Sequence, residues 1–243
     1  MSTDSPGHCY TTVVLPRFTR GAFVLFAISF LGSMLLGDLG FAHSLRLDAA
    51  GVAVGDRVWQ LLSSLFVYPD RQLAALAITL LVQWILGGQL EEFWGTKRFL
   101  VMAAVSGIVG NAAVVVLALA IPSMALPEIG GSAPFDMAVA VAFTVAYGRQ
   151  TFRPVASHFL RGRTVGLLGG VLILVAAGSQ MMSGAAEGGL WVLLLPLVVS
   201  GGVALLFVTQ PWQSNTGQRG GAVSKPSDRS HLRVVRNADD LLN

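Results

Sequence analysis

The sequence predicts an all-α membrane protein: a bundle of six transmembrane helices with a membrane-associated first loop. Three observations predict it. Of 243 residues, 53% are hydrophobic and 12% charged, against about 25% charged in ordinary soluble domains. Six apolar runs recur along the chain, most of them near the roughly 20 residues that cross a bilayer core. Thirteen of the 16 Lys and Arg residues fall on one side of such a bundle.

The expected spans are Gly21–Gly40, Leu73–Leu90, Phe99–Ile121, Ala133–Tyr147, Val165–Met182 and Leu190–Val208. The first follows about 20 polar or mixed residues without a small-residue cleavage site, so it reads as an uncleaved span. The connection from Phe41 to Gln72 contains an apolar piece, Val58 to Tyr68. That piece is too short to span and is expected to dip into the outer leaflet or lie along it. The third span carries a small or polar patch at Gly107, Gly110 and Asn111. The fourth is short and begins at Gly130-Gly131-Ser132-Ala133. A short span opened by glycines needs neighbours around its exposed backbone, which makes this the expected central helix. Gly166 with Gly170, Gly184 with Gly188 and Ser29 with Ser33 stand four apart, a spacing that lets helix backbones approach closely.

Lys and Arg placement sets the expected orientation. Arg17, Arg20, Lys97, Arg98, Arg149, Arg153, Arg161, Arg163 and the five basic residues of the tail collect on one side, and Arg46, Arg57 and Arg71 on the other. Both termini are therefore expected in the cytoplasm, with Ser132 at the opposite end of the fourth helix. The domain reading is a cytoplasmic segment 1–20, a membrane domain 21–210 and a cytoplasmic tail 211–243. The Ser-, Gly-, Arg- and Asp-rich first half of that tail reads as disordered.

Composition also narrows the function classes. The net charge of +3 is explained by membrane topology, so nucleic acid is not an expected partner and the lipid bilayer is. The single Cys9 excludes an internal disulfide or a cysteine-based metal site, and no cofactor or metal is expected.

Four stretches, in order, carry a resemblance. Val58-Trp59-Gln60-Leu61-Leu62-Ser63-Ser64-Leu65-Phe66 follows the first span, and Leu90-Glu91-Glu92-Phe93-Trp94-Gly95-Thr96-Lys97-Arg98-Phe99 ends the second. Gly130-Gly131-Ser132-Ala133 opens the fourth, and Gly184-Ala185-Ala186-Glu187-Gly188-Gly189 opens the sixth. Together they resemble the rhomboid superfamily of intramembrane serine proteases, with its W-R-L-x-T-x-x-F, L-E-x-x-x-G-x-x-R-F, G-x-S-G and A-H-x-G-G stretches. The resemblance implies structural roles for Trp59, Glu91, Gly95, Arg98, Gly130, Gly131, Gly188 and Gly189.

The departures from the family pattern fall on the chemistry. Ala186 stands where active members carry the catalytic histidine. Ala75 and Thr79 stand where many carry the His and Asn that help the oxyanion. Tyr68 replaces a loop His, Gln60 the loop Arg, and Ala133 the second glycine of G-x-S-G. All four histidines, His8, His43, His158 and His231, lie in termini or loops. The resemblance therefore implies a non-proteolytic member, a rhomboid-like pseudoprotease that binds transmembrane helices of other membrane proteins.

Each candidate residue has a plainer reading beside the chemical one. Ser132 precedes a helix with Pro134 in its first turn, so N-capping alone explains it. A serine hydroxyl is a poor nucleophile without a base. Asp136 shares a helix face with Ser132 and lies near the outer helix end, where it reads as structural or solvated. Glu187 neighbours the missing-histidine position but is rotated about 100° from it. Ser132 with Glu187 or Asp136 as an atypical base is the protease alternative, and a structural subunit of a larger membrane complex is the second.

Overall fold

The computed structural model describes residues 18–38, 41–68, 73–121, 128–149, 151–152, 160–182 and 190–209. Helix α1 is Arg20–Asp38. Short helices α2 (Ala42–Leu45), α3 (Ala49–Ala53) and α4 (Gln60–Ser63) and a 3₁₀ turn Ser64–Phe66 form the first loop. Next, α5 (Leu73–Val82) passes through a π turn, Gln83–Gly87, into α6 (Gly88–Trp94). Helices α7 (Thr96–Ala120) and α8 (Ala133–Ala146) follow. A two-residue antiparallel ribbon then pairs β1 (Thr151–Phe152) with β2 (Leu160–Arg161), ahead of α9 (Gly162–Met182) and α10 (Leu190–Thr209).

This is an integral membrane protein of all-α class. The helices Ala74–Trp94, Thr96–Ala120 and Trp191–Thr209 are long and apolar enough to cross a membrane, and Arg20–Met34, Ala133–Ala146 and Gly162–Gly178 are shorter apolar helices. The pattern of exposure is that of a bundle in lipid. Val198 is 70% exposed, Val175 61% and Leu206 60%, whereas Gln60, Gln83 and Ser132 are fully buried. In hydrocarbon an apolar side chain gains little by leaving the lipid, and a polar one gains a partner by turning inward.

Helix α8 packs against α7, α9, α10 and the α5 side of the bundle, the central place expected of a short span. Its Phe135, Ala138, Val139, Ala142 and Phe143 are all at most 1% exposed. Small residues set two of its neighbours close. A methyl at Gly166 of α9 would stand 3.0 Å from Thr144 Cα, and one at Gly110 of α7 would stand 2.8 Å from the Pro196 carbonyl oxygen of α10. Gly184 and Gly188 lie outside the described residues.

The first loop is tied down rather than loose. Gln60 Nε2 donates to Ser44 O, and Gln60 Oε1 accepts from Asp48 N. Asn111 of α7 donates to Leu61 O and Ser64 Oγ. Leu47 pairs with Ile129, and Gly131 N donates to Ser64 O at 2.8 Å. The loop thus reaches the turn that opens α8, and Leu47, Val114 and Val192 share a small core beneath it.

The second span runs past its expected end at Leu90 and carries Glu91 inside a helix. Glu91 accepts from the N–H groups of Gly21 and Ala22 at 2.8 Å each, from Thr19 Oγ1, and from Thr96 Oγ1 at 2.5 Å. Two of the orphan donors at the start of α1 are therefore capped from another helix. Gly95 joins α6 to α7 at φ 82°, ψ 153°, a region open essentially to glycine. Arg98 lies over the Trp94 ring, 5.6 Å from its centroid.

Two outcomes follow for stability in detergent. Glu91→Ala strands four donors and is expected to cost about 2–4 kcal/mol, with Glu91→Gln milder. Gly95→Ala is expected to cost about 1–3 kcal/mol through backbone strain. Thermal unfolding of the purified variants measures both, and a Glu91→Ala protein melting with wild type would contradict the capping role.

Candidate functional site

Ser132 occupies the residue before α8, with Pro134 in the first turn, yet its side chain makes no capping bond. Its hydroxyl turns inward and donates to Asp136 Oδ2 at 2.6 Å. The N-cap reading therefore accounts for the position of Ser132 and not for its side chain. The same geometry overturns a solvated Asp136, which is 2% exposed. One turn of helix is too little to bring the carboxylate to water, because Tyr68 and α5 cover that end.

The carboxylate is held from two elements. Thr79 Oγ1 of α5 donates to Oδ2 at 2.9 Å, and Gln83 Nε2 of the π turn donates to Oδ1 at 2.6 Å. Thr79 and Gln83 are four residues apart and so share a helix face. The Tyr68 hydroxyl bonds both Ser132 and Thr79, whose own oxygens are 2.8 Å apart. Proton counting orders these contacts. Asp136 as a carboxylate only accepts, and each hydroxyl has one proton. With Ser132 and Thr79 donating to Asp136, the Tyr68 proton serves the oxygens of Ser132 and Thr79.

Tyr68 is fixed at both ends. Its N–H donates to Ser33 Oγ of α1 at 3.0 Å. Its ring lies against the turn before Ser132, where Gly131 has φ 108° and a methyl would meet Tyr68 Cε1 at 2.9 Å. Positive φ and this contact both require glycine at position 131. Beside the cluster is a small cavity of about 10 Å³, bordered by Tyr68, Thr79, Ala133 and Asp136 and by Ile173 and Ala176 of α9.

The structure brings together Ser132, Asp136, Gly130 and Gly131 with Thr79 and Tyr68, two positions where the sequence departs from the protease pattern. Ala186, Glu187, Gly188 and Gly189 lie outside the described residues. Trp59 is 57% exposed and Glu91 sits at the far end of the second span, so neither joins the cluster. His43 is exposed and pairs with Glu128 at 2.8 Å. Gln83 is the participant that sequence reasoning missed. Its signal was a polar residue four positions after Thr79, in a mostly apolar span. Among the described residues no group of three or more His, Cys, Asp or Glu side chains could hold a metal ion.

Comparison with known families adds one finding. The family model described as Rhomboid domain matches residues 55–224, a stretch containing the first-loop, Glu91 and Ser132 motifs. No curated protein matches the chain.

Substitutions at the cluster have graded expectations. Gly131→Ala combines strained φ with a clash against Tyr68 and is expected to cost about 2–4 kcal/mol. Tyr68→Phe removes one hydroxyl and is expected to cost about 1 kcal/mol. Thermal unfolding tests the order, and a Tyr68→Phe protein less stable than Gly131→Ala would contradict this geometry.

Proposed function

The chain belongs to the rhomboid family, and on that premise we propose that it holds transmembrane segments of partner membrane proteins without cutting them, in an adaptor or assembly role. The condition of Ser132 carries this reading. Its side chain is fully buried, its proton is directed at Asp136, and its oxygen is engaged by Tyr68. A serine that attacks a peptide carbonyl needs an open approach to its oxygen, and a base that later protonates the leaving amine. Tyr68 occupies the approach. The sequence carries Ala186 in place of the histidine that performs proton transfer in active members.

In this reading the chain crosses the membrane six times with both termini in the cytoplasm. The asymmetry of Lys and Arg supports that orientation. Residues 21–210 form the helix-holding domain, 1–20 a leading cytoplasmic segment, and 211–243 a cytoplasmic tail. Partner helices approach from the bilayer, and the short α8 with its polar outer end disturbs lipid packing where they arrive.

One observation favours residual proteolysis. The Ser132 hydroxyl is 2.6 Å from a carboxylate oxygen, so a proton acceptor is present even without histidine. A serine-reactive phosphonate separates the readings. No labelling of the wild-type protein is expected, and labelling that disappears in Ser132→Ala would establish the protease.

Photo-crosslinking residues placed at Trp191 and at Ala177 test partner holding in native membranes. Discrete adducts with membrane-spanning proteins are expected at one or both positions. Their absence at both would count against the adaptor reading.

A further inference from the structure

We propose that the Asp136 cluster is a proton-binding site, in which Asp136 takes up and releases a proton in place while Ser132, Tyr68 and Thr79 turn their hydrogens to match. A surplus of acceptors carries this inference. Thr79 Oγ1 has one hydrogen and two acceptors in reach, Asp136 Oδ2 at 2.9 Å and the Ala75 carbonyl oxygen at 3.1 Å. The Tyr68 hydroxyl likewise has one hydrogen and touches both Ser132 and Thr79. Two complete hydrogen-bond patterns therefore fit the same heavy atoms. With Asp136 ionised, Ser132 and Thr79 donate to Oδ2, and Tyr68 donates to one of their oxygens. With Asp136 protonated on Oδ2, the acid donates to Ser132, Ser132 to Tyr68, Tyr68 to Thr79 and Thr79 to Ala75. Gln83 Nε2 donates to Oδ1 at 2.6 Å in both. Neither pattern leaves a hydroxyl hydrogen without an acceptor, and Tyr68 stays over Ser132 in each. The O–H bond at Oδ2 is the only covalent bond made or broken.

The surroundings favour a group that can become neutral. Asp136 is buried, and no cation faces it among the described residues. Of the elements packed on α8, α5, the π turn, the 3₁₀ turn and α10 contain no ionisable side chain. Helix α6 holds Glu91 and Glu92, α7 holds Lys97 and Arg98, and α9 holds Arg163, all at the end away from Ser132. Tyr68 is the ionisable side chain that touches the cluster. A buried charge without a partner of opposite sign is costly, and protonation removes that cost. A proton is also the ligand that fits. The Ser132, Thr79 and Asp136 oxygens stand 2.6–2.9 Å apart, which is hydrogen-bond separation with no room for a metal ion between them. The adjoining cavity of about 10 Å³ has room for about one water. Tyr68, Thr79 and Asp136 on its lining supply the polar partners a buried water needs. Such a water is the carrier by which the proton reaches and leaves Oδ2.

The test is infrared spectroscopy of the full-length chain in phosphatidylcholine bilayers, stepped through pH. The signal is the C=O stretch of a protonated carboxyl, isolated as the difference between wild type and Asp136→Asn. A band is expected that vanishes reversibly as pH rises, shifts in heavy water and is absent from the variant. Gln83→Leu removes the donor to Oδ1, the carbonyl oxygen of the protonated form, and is expected to move the band to higher frequency. That shift assigns the band to Asp136 even where Asp136→Asn does not fold, with isotope labelling of the aspartate carboxyls then marking it as an aspartate's. No band at any pH at which the wild type stays folded would mean a permanent carboxylate and overturn the inference. So would a band of constant area, which marks a permanently protonated acid. A titrating band that Gln83→Leu leaves unmoved would belong to another carboxyl and overturn it too.

Discussion

A carboxylate that cannot reach water must find its donors inside the bundle, and the arrangement of the Ser132 end of this bundle follows from where Asp136 finds them. Apolar packing discriminates weakly among helix neighbours in lipid, because lipid tails are as apolar as leucine. Hydrogen bonds discriminate strongly, because an unmade one at that depth costs several kcal/mol, on the order of the desolvation penalty itself. Thr79 and Gln83 bring the second span to α8. Tyr68 brings the end of the first loop, and Ser33 adds α1 through the Tyr68 N–H. Asp136 and the hydroxyls bonded to it thus link four segments of the chain.

Glu91 does comparable work at the other end by different means. Asp136 is met by side chains alone, whereas Glu91 takes two of its donors from the backbone at the start of α1. Its cap has to lie where a helix begins, and Gly21 leaves the space: a methyl there would meet Glu91 Oε2 at 2.9 Å. The two acids anchor opposite ends of one helical run, with the π turn between them. π turns inside α-helices often mark functional positions, and this one carries the Gln83 that reaches Asp136.

Much of this was legible in the chain. The apolar runs located the helices to within a few residues, since length and hydropathy are local properties. The Glu91 to Arg98 stretch and the Gly130-Gly131-Ser132 turn were visible as motifs, and the four-residue spacing put Asp136 on the face of Ser132. The environment of that face was not legible. Solvation of Asp136 depends on what covers the helix end, and the cover comes from Tyr68 and Thr79, more than fifty residues earlier. Ser132 shows the same limit. Its N-cap position follows from local preference, but the Asp136 carboxyl four residues on shares its helix face and takes the hydroxyl.

By itself the sequence determined the class, the helices, the small residues at their contacts and the absence of histidine from the apolar spans. Each of these depends on residue type and spacing along one segment. The tertiary structure decided which polar side chains meet. It closed Ser132 beneath Tyr68, gave Asp136 to Thr79 and Gln83, and left a cavity on the α9 side. Those outcomes depend on helix rotation and on close approach at positions such as Gly131 and Gly166. No single segment encodes them, because a buried polar group is satisfied by partners that only the assembled bundle supplies.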